Sequence, residues 1–154
     1  MKKRILSLEP PAASTEPHRP ETATPAQAEV TSEDPAYPLE SALGLAEGSG
    51  WRAATPGPQT IRLLFDEPLR VRRIHLEFEE SQGERTQEFV LRWSADGKTY
   101  QQILRQQYHF HRFATQQVED YNVDLNNAVA VDLHIVPDIS GGDVRASLHR
   151  FQIA

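Results

Sequence analysis

The sequence predicts an all-β domain built as an antiparallel β-sandwich, and three observations carry this prediction. Phe89, Leu91 and Trp93 fall on one face of a strand that breaks at Ala95-Asp96-Gly97-Lys98 and then resumes. Asp-Gly supplies the positive φ that a tight hairpin turn requires. From Gln59 onward, strand-like segments recur at intervals of about 10–15 residues, the spacing of a sandwich or barrel. Helix should be scarce, because no segment longer than about 10 residues keeps a 3.6-residue apolar period.

The individual strands are predicted from the alternation of apolar and polar side chains. Such a strand buries one face, so two such sheets must pack face to face. Phase breaks at residues 71–74 and 148–151 indicate bulges, which are common where strands bend between sheets. Residues 38–43 fit a single helical turn. The predicted strands are residues 60–65, 74–78, 89–93, 100–104, 121–125, 129–135 and 148–153.

The first part of the chain has a different composition. Seven of the eleven prolines lie within the first 38 residues, among Ala, Thr, Ser and Glu. A segment with so few aromatic and β-branched residues buries too little apolar surface to offset its conformational entropy. We therefore expect residues 1–35 to form a disordered, acidic tail and residues 36–154 to form the folded domain.

Composition also narrows the classes of partner and location. The chain has a net charge of −6, and residues 51–154 hold 12 basic and 14 acidic side chains, so nucleic acid is not an expected partner. The absence of cysteine excludes a disulfide framework, a thiolate metal site and a cysteine nucleophile. The basic start Met1-Lys2-Lys3-Arg4 is followed by too short an apolar run for a signal peptide, and no stretch reaches a membrane span. We expect a cytoplasmic protein without a membrane partner.

The predicted connections divide into short turns at one end of the sandwich and longer loops at the other. If consecutive strands run antiparallel, residues 65–68, 95–98 and 125–128 form short turns at one end. The other end receives the approach through Gly50-Trp51-Arg52 and the loops 79–86, 106–116 and 137–146. Function on a rigid β scaffold tends to lie in such loops. The long-loop end is therefore the predicted binding surface.

Aromatic, Arg and His side chains concentrate at that end. Aromatic rings can stack on the apolar face of a sugar, while Arg and His bond its hydroxyl groups. The candidate ligand-binding residues are Trp51, Arg52, Arg85, Tyr108, His109, His111 and Arg112.

A structural interpretation stays open beside each of these candidates. Period-two alternation alone would turn Tyr108 and Phe110 into the core and leave His109 and His111 exposed without a ligand. Trp51 also fits a buried anchor, and Arg85 fits a salt bridge to a neighbouring acid. Arg52 follows Trp51 directly, so in extended backbone the two side chains point in opposite directions.

Several segments resemble the discoidin, or coagulation factor 5/8 type C, superfamily of galactose-binding-like jelly rolls. Ser94-Ala95-Asp96-Gly97-Lys98-Thr99-Tyr100 is similar to its Ser-x-Asp-Gly-x-x-aromatic hairpin, and Gly50-Trp51-Arg52-Ala53 resembles the Trp segment ahead of its first long strand. Gln59–Phe65 and Ala130–Ile135 resemble two of its core strands. The resemblance covers residues 50–154 and implies a jelly-roll sandwich, typically non-catalytic. It also implies binding of sugars, phospholipid head groups or proteins through loops at one end, in many members beside a structural calcium ion.

The chain departs from this superfamily in two respects. Its last strand, Leu148-His149-Arg150-Phe151-Gln152, lacks the carboxylate that often helps to hold calcium there. A hard cation takes six to eight oxygen ligands, so calcium is left as an open expectation with Glu47, Asp138 and Asp143 as candidate ligands. Phe110 and Phe113 are interspersed with His and Arg, so lipid binding is not expected.

Catalytic motifs are missing from the sequence. It contains no Gly-x-Ser-x-Gly elbow, no His-Glu-x-x-His and no Cys. We therefore predict a non-catalytic module that binds carbohydrate through its long loops. A protein-interaction or assembly domain that uses the same loops, with the tail as a tether, is the alternative.

Overall fold

The computed structural model describes residues 1–6, 22–80 and 83–154. A single-turn helix, α1 (Leu39–Ala42), lies where one turn was predicted, and strands make up the rest of the regular structure. No helix within these residues is long and apolar enough to cross a membrane. The strands are β1 (Lys2–Ile5), β2 (Gln27–Val30), β3 (Trp51–Arg52), β4 (Gln59–Glu79), β5 (Arg85–Ser94), β6 (Gln101–Phe110), β7 (Gln116–Val136), β8 (Ser147–Leu148) and β9 (Arg150–Ile153).

Two long strands, β4 and β7, each contribute to both layers of the sandwich. Residues 59–64 of β4 pair with residues 130–135 of β7, and residues 71–79 pair with residues 116–125. The partners on the other side of β4 differ as well, being β2 for the first half and β9 for the second. One layer therefore has the order β1-β2-β4-β7-β5-β6, and the other has the order β7-β4-β9.

Two of the three predicted short turns are instead corners at which β4 and β7 pass from one layer to the other. Residues 65–68 and 125–128 lie inside β4 and β7, where the register shifts three times between Leu64 and Arg73. A bulged corner and a turn both interrupt the alternation of apolar residues, so the sequence pattern does not separate them. Asn127, at the β7 corner, has a φ of 59°, a conformation in which Asn is enriched.

The core lies between the two layers and is formed by the predicted inward-facing residues. Ile61 and Leu63 of the first layer and Leu76 of the second are buried. The rings of Phe78 and Phe89 stack across the interface with their centroids 5.3 Å apart. The prediction of a β-sandwich is confirmed.

The predicted tail is wrong for the described part of residues 1–35. Gln27–Val30 pairs with β4, Lys2–Ile5 adds a parallel strand outside it, and Ala28 and Val30 are fully buried. The Lys3 ammonium forms ion pairs with Glu33, at 3.0 Å, and with Glu40. A short strand that pairs with an existing sheet can be anchored by few inward-facing residues, here Ala28 and Val30, so low apolar content does not prevent it from folding. Residues 7–21 of the predicted tail lie outside the described residues.

The Ser94–Tyr100 hairpin is a loop held by side-chain to backbone hydrogen bonds. Ser94 Oγ accepts hydrogen bonds from the backbone N–H groups of Asp96 and Gly97, at 3.2 and 2.8 Å. Asp96 Oδ1 accepts from the N–H groups of Lys98 and Thr99, both at 2.8 Å. These hydrogen bonds stabilise the charged carboxylate and lower the pKa of Asp96 to about 2. The backbone N–H of Thr99 makes the largest contribution. The motif that carries the family resemblance thus stabilises the loop.

This carboxylate gives a testable pH dependence. The pKa of Asp96 lies below its ordinary value of 3.8. The stabilisation is therefore fully present above about pH 4 and is lost as the pH falls through about 2. We expect a ¹³C NMR titration of the folded protein to give this low pKa, and urea unfolding of Asp96→Asn to lose that part of the acid dependence. Asp66→Asn, at another exposed acid, should keep it. An Asp96 pKa at or above 3.8 would contradict the assignment.

Candidate functional site

The predicted long loops meet at one end of the sandwich. The Glu80 N–H donates to the Thr115 carbonyl at 2.7 Å, and the Ile139 N–H donates to the Thr86 carbonyl at 2.9 Å. These bonds join the loop after β4, the hairpin before β7 and the loop after β7. The grouping expected from strand alternation is confirmed.

A cleft of about 200 Å³ opens at this end, and we call it the Arg52 cleft. Its base is the short antiparallel pair of β3 and β8, in which Trp51 lies opposite Leu148 and Arg52 opposite Ser147. The polar residues that line it are Tyr37, Ser49, Arg52, Glu79, Glu80, Ser147 and His149. They come from four separate stretches of the chain.

Arg52 lies on one wall of the cleft. Its Cζ is 4.9 Å from the centroid of the Tyr37 ring, and its backbone N–H donates to the Tyr37 carbonyl at 3.2 Å. No carboxylate of the described residues forms an ion pair with its guanidinium. The cation is therefore held by the aromatic face and keeps its donors available on the cleft.

Glu79 and His149 lie on the same cleft. Glu79 is exposed, and its carboxylate has no ion pair with any residue that the structure describes, while its backbone carbonyl accepts a hydrogen bond from Ser147 Oγ at 3.4 Å. His149 Nδ1 is 3.2 Å from the Ser49 carbonyl, which can only accept, so Nδ1 carries a proton. The cleft thus combines a cation, an anion and an imidazole.

Trp51 does not take the predicted role of a sugar platform. Only 1% of its surface is exposed, and its indole Nε1–H donates to the Ser32 carbonyl at 3.1 Å. Its ring is therefore a core anchor beneath the cleft. The prediction that Trp51 and Arg52 point in opposite directions is confirmed, since Arg52 is partly exposed.

Arg85 also has a structural role, which agrees with the alternative interpretation that it forms a salt bridge to a neighbouring acid. Its side chain is 3% exposed and forms an ion pair with Glu80. The same guanidinium donates to the Pro137 carbonyl and lies 5.0 Å from the Phe110 ring centroid. It connects three loops from inside and offers no surface to a ligand.

The side chains of residues 108–111 alternate between the inner and the outer face of the sheet. Phe110 is buried and Tyr108 packs edge-on against it, with ring centroids 5.0 Å apart. His109 and His111 stack on the outside at 5.9 Å, and His109 Nδ1 is 2.9 Å from Thr86 Oγ1.

The tip of this hairpin carries an exposed aromatic side chain. Phe113 is 82% exposed, and Arg112 Cζ lies 4.8 Å from its ring centroid. Neither this pair nor Tyr108, His109 and His111 lines the Arg52 cleft, so the structure does not bring all seven candidates together.

The candidate metal ligands are not gathered into one site. Across residues 1–6, 22–80 and 83–154, no three His, Cys, Asp or Glu side chains form a group that could hold a metal ion. Asp138 Oδ1 accepts a hydrogen bond from the Ser140 N–H at 2.9 Å, and Glu47 and Asp143 are exposed. Calcium binding stays a prediction.

Several solved structures share this fold and are carbohydrate-binding modules. A pectin-binding module aligns with a TM-score of 0.62 at 16% identity, over 86% of this chain and 91% of that one. A family 32 module of C. perfringens NanJ, solved with galactose, aligns with a TM-score of 0.58 at 13% identity, over 82% and 90%. A chitosan-binding module of a chitosanase/glucanase from Paenibacillus sp. IK-5 aligns with a TM-score of 0.55 at 17% identity, over 82% and 92%. The chain has the galactose-binding-like fold.

This result confirms the jelly-roll architecture that the hairpin resemblance implied. The identities are low, so the likeness concerns the fold alone. No protein-family model matches the chain, and no curated protein matches it in sequence. The chemistry of the site must therefore be argued from this chain's own residues.

The sequence interpretation missed most of the polar side chains around the cleft. Tyr37 lies between two prolines, and an aromatic side chain within a proline-rich stretch was the one signal that pointed to it. Glu79 entered the sequence interpretation only as the first residue of the predicted loop 79–86. His149 and Ser147 carry no local pattern, because pairing of β8 with β3 alone places them beside Arg52.

Proposed function

We propose that the chain is a non-catalytic carbohydrate-binding module and that the Arg52 cleft is its primary sugar site. The observation that carries this proposal is the pairing of two unneutralised groups in one cleft. The Arg52 guanidinium lies over Tyr37, and the Glu79 carboxylate lies on the same cleft, each without an ion-pair partner among the described side chains.

This arrangement matches the chemistry of adjacent sugar hydroxyl groups. A hydroxyl both donates and accepts, a guanidinium presents a planar fork of donors, and a carboxylate accepts at two oxygens. The partly exposed Tyr37 ring adds an apolar surface for sugar C–H groups. The fold is shared with modules described as binding pectin, galactose and chitosan, which supports the same class of ligand here.

The proposed absence of catalysis follows from the two acids of the cleft. Glycoside hydrolysis needs a pair of carboxyl groups, one of which delivers a proton to the leaving oxygen. The Glu80 carboxylate instead accepts a hydrogen bond from the buried Arg85. Glu79 alone then supplies an acceptor for hydroxyl groups.

The test is glycan binding by the full chain, first on an array and then by calorimetry, with and without calcium. We expect Arg52→Ala to lower the affinity at least about tenfold, because a charge-assisted hydrogen bond contributes roughly 1.5–3 kcal/mol. Tyr37→Ala should weaken binding in the same direction.

Arg70→Ala is the matched control for loss of an arginine. Arg70 lies at the opposite end of the sandwich, in an exposed ion pair with Asp124, so glycan affinity should not change. Unchanged binding by Arg52→Ala would contradict the placement of the site. Folded protein that binds no glycan would overturn the proposal and favour the protein-interaction alternative.

A further inference from the structure

A second cleft, of about 380 Å³, lies beside the first and is lined by Glu79, Glu80, Thr115 and Gln116. Glu79 and Glu80 also line the Arg52 cleft. We propose that the two clefts form one groove that binds at least two consecutive units of a linear oligosaccharide, with Gln116 in the second subsite. This inference rests on the proposed function.

The pairing of β4 with β7 makes the two clefts continuous. Glu79 and Gln116 are cross-strand partners at the ends of these strands, so their side chains project from the same face of the sheet. Neighbouring strands lie about 4.8 Å apart, so Gln116 and Glu79 occupy adjacent positions on this face. The order across the groove is Arg52, Glu79 and Gln116.

Each of these three side chains has hydrogen-bonding capacity available to a ligand. Gln116 is exposed, and within the described part of the chain its amide makes no side-chain hydrogen bond. An amide both donates and accepts, as does a sugar hydroxyl. Glu79, between the clefts, can accept from hydroxyl groups of two adjacent units.

The shared wall of the groove is held in place from below. The Glu80 N–H donates to the Thr115 carbonyl at 2.7 Å, which joins the two strand ends. The Glu80 carboxylate is tied to Arg85, whose side chain is 3% exposed. A wall fixed before binding loses little freedom when a chain occupies both clefts.

The test compares chain length. Calorimetry on the full chain would use galacturonate, galactose and glucosamine, each with its di-, tri- and tetrasaccharide. In the series that binds, the affinity should rise at least about tenfold from the monosaccharide to the longer chains, as added hydrogen bonds would give. Gln116→Ala should reduce that ratio about threefold or more, whereas Gln101→Ala, an exposed glutamine on β6, should leave it unchanged.

The outcomes separate this inference from the proposed function. A monosaccharide that binds in an Arg52-dependent manner, with no gain in affinity for longer chains, overturns the groove and leaves the sugar site standing. A gain in affinity that Gln116→Ala does not reduce also overturns the groove. Absence of binding in all three series and on the glycan array, with folded protein, overturns both proposals.

Discussion

Replacing Arg85 by alanine should lower the free energy of unfolding by about 3–5 kcal/mol, because it removes one partner of a buried ion pair. The Arg85 side chain is 3% exposed, and that of Glu80 is 16% exposed. Burial weakens the hydration that would otherwise replace the lost pair. The substitution also removes the donor to the Pro137 carbonyl and the packing on Phe110, so the three loops of the binding end lose their common tie.

Urea unfolding followed by tryptophan fluorescence measures this change. Arg70→Ala removes an arginine from an exposed ion pair, with side chains 53% and 61% exposed for Arg70 and Asp124. We expect it to cost at most about 1 kcal/mol. A loss for Arg85→Ala no larger than that of the control would show that the buried pair contributes little.

The same residue shows where the sequence was informative and where it was not. Period-two alternation correctly predicted the inward strands, because each side chain's face follows from its neighbours. It does not reveal how deeply a residue near a predicted loop is buried. Arg85 and Trp51 were therefore placed on the binding surface for their chemistry, although one is tied to Glu80 and the other donates to the Ser32 carbonyl from inside.

The residues around the clefts depend on contacts that are distant along the chain. Tyr37 meets Arg52 through a backbone bond from Arg52 N to the Tyr37 carbonyl, and Glu79 meets Gln116 through a register set along the whole of β4 and β7. The secondary-structure propensity of a local segment carries no information about either of these long-range contacts. The short strand β2 escaped prediction for a similar reason, since it is stabilised by pairing with β4, which is distant in the sequence.

Replacing Gly50 by alanine should destabilise the chain by about 2–6 kcal/mol, from backbone strain and overpacking together. Gly50 has a φ of 96°, a left-handed conformation that costs free energy for any residue with a Cβ. An added Cβ would also lie 2.4 Å from the Leu148 carbonyl oxygen and 2.7 Å from His149 Cα. Both atoms are backbone, so β3 and β8 would have to separate. That pair is the base of the Arg52 cleft, and glycan affinity should fall with stability.

Gly57 provides a control that separates the cost of the steric clash at Gly50 from the cost of the positive φ. Its φ is 93°, almost that of Gly50, but an added Cβ would meet nothing within 4 Å. Gly57→Ala should therefore cost only the conformational part, about 1–3 kcal/mol in urea unfolding. Equal losses for the two variants would mean that the chain relaxes around the methyl group added at Gly50 without cost. A larger loss for Gly50→Ala, together with weaker glycan binding by the fraction that remains folded, would tie the sugar site to the contact between β3 and β8.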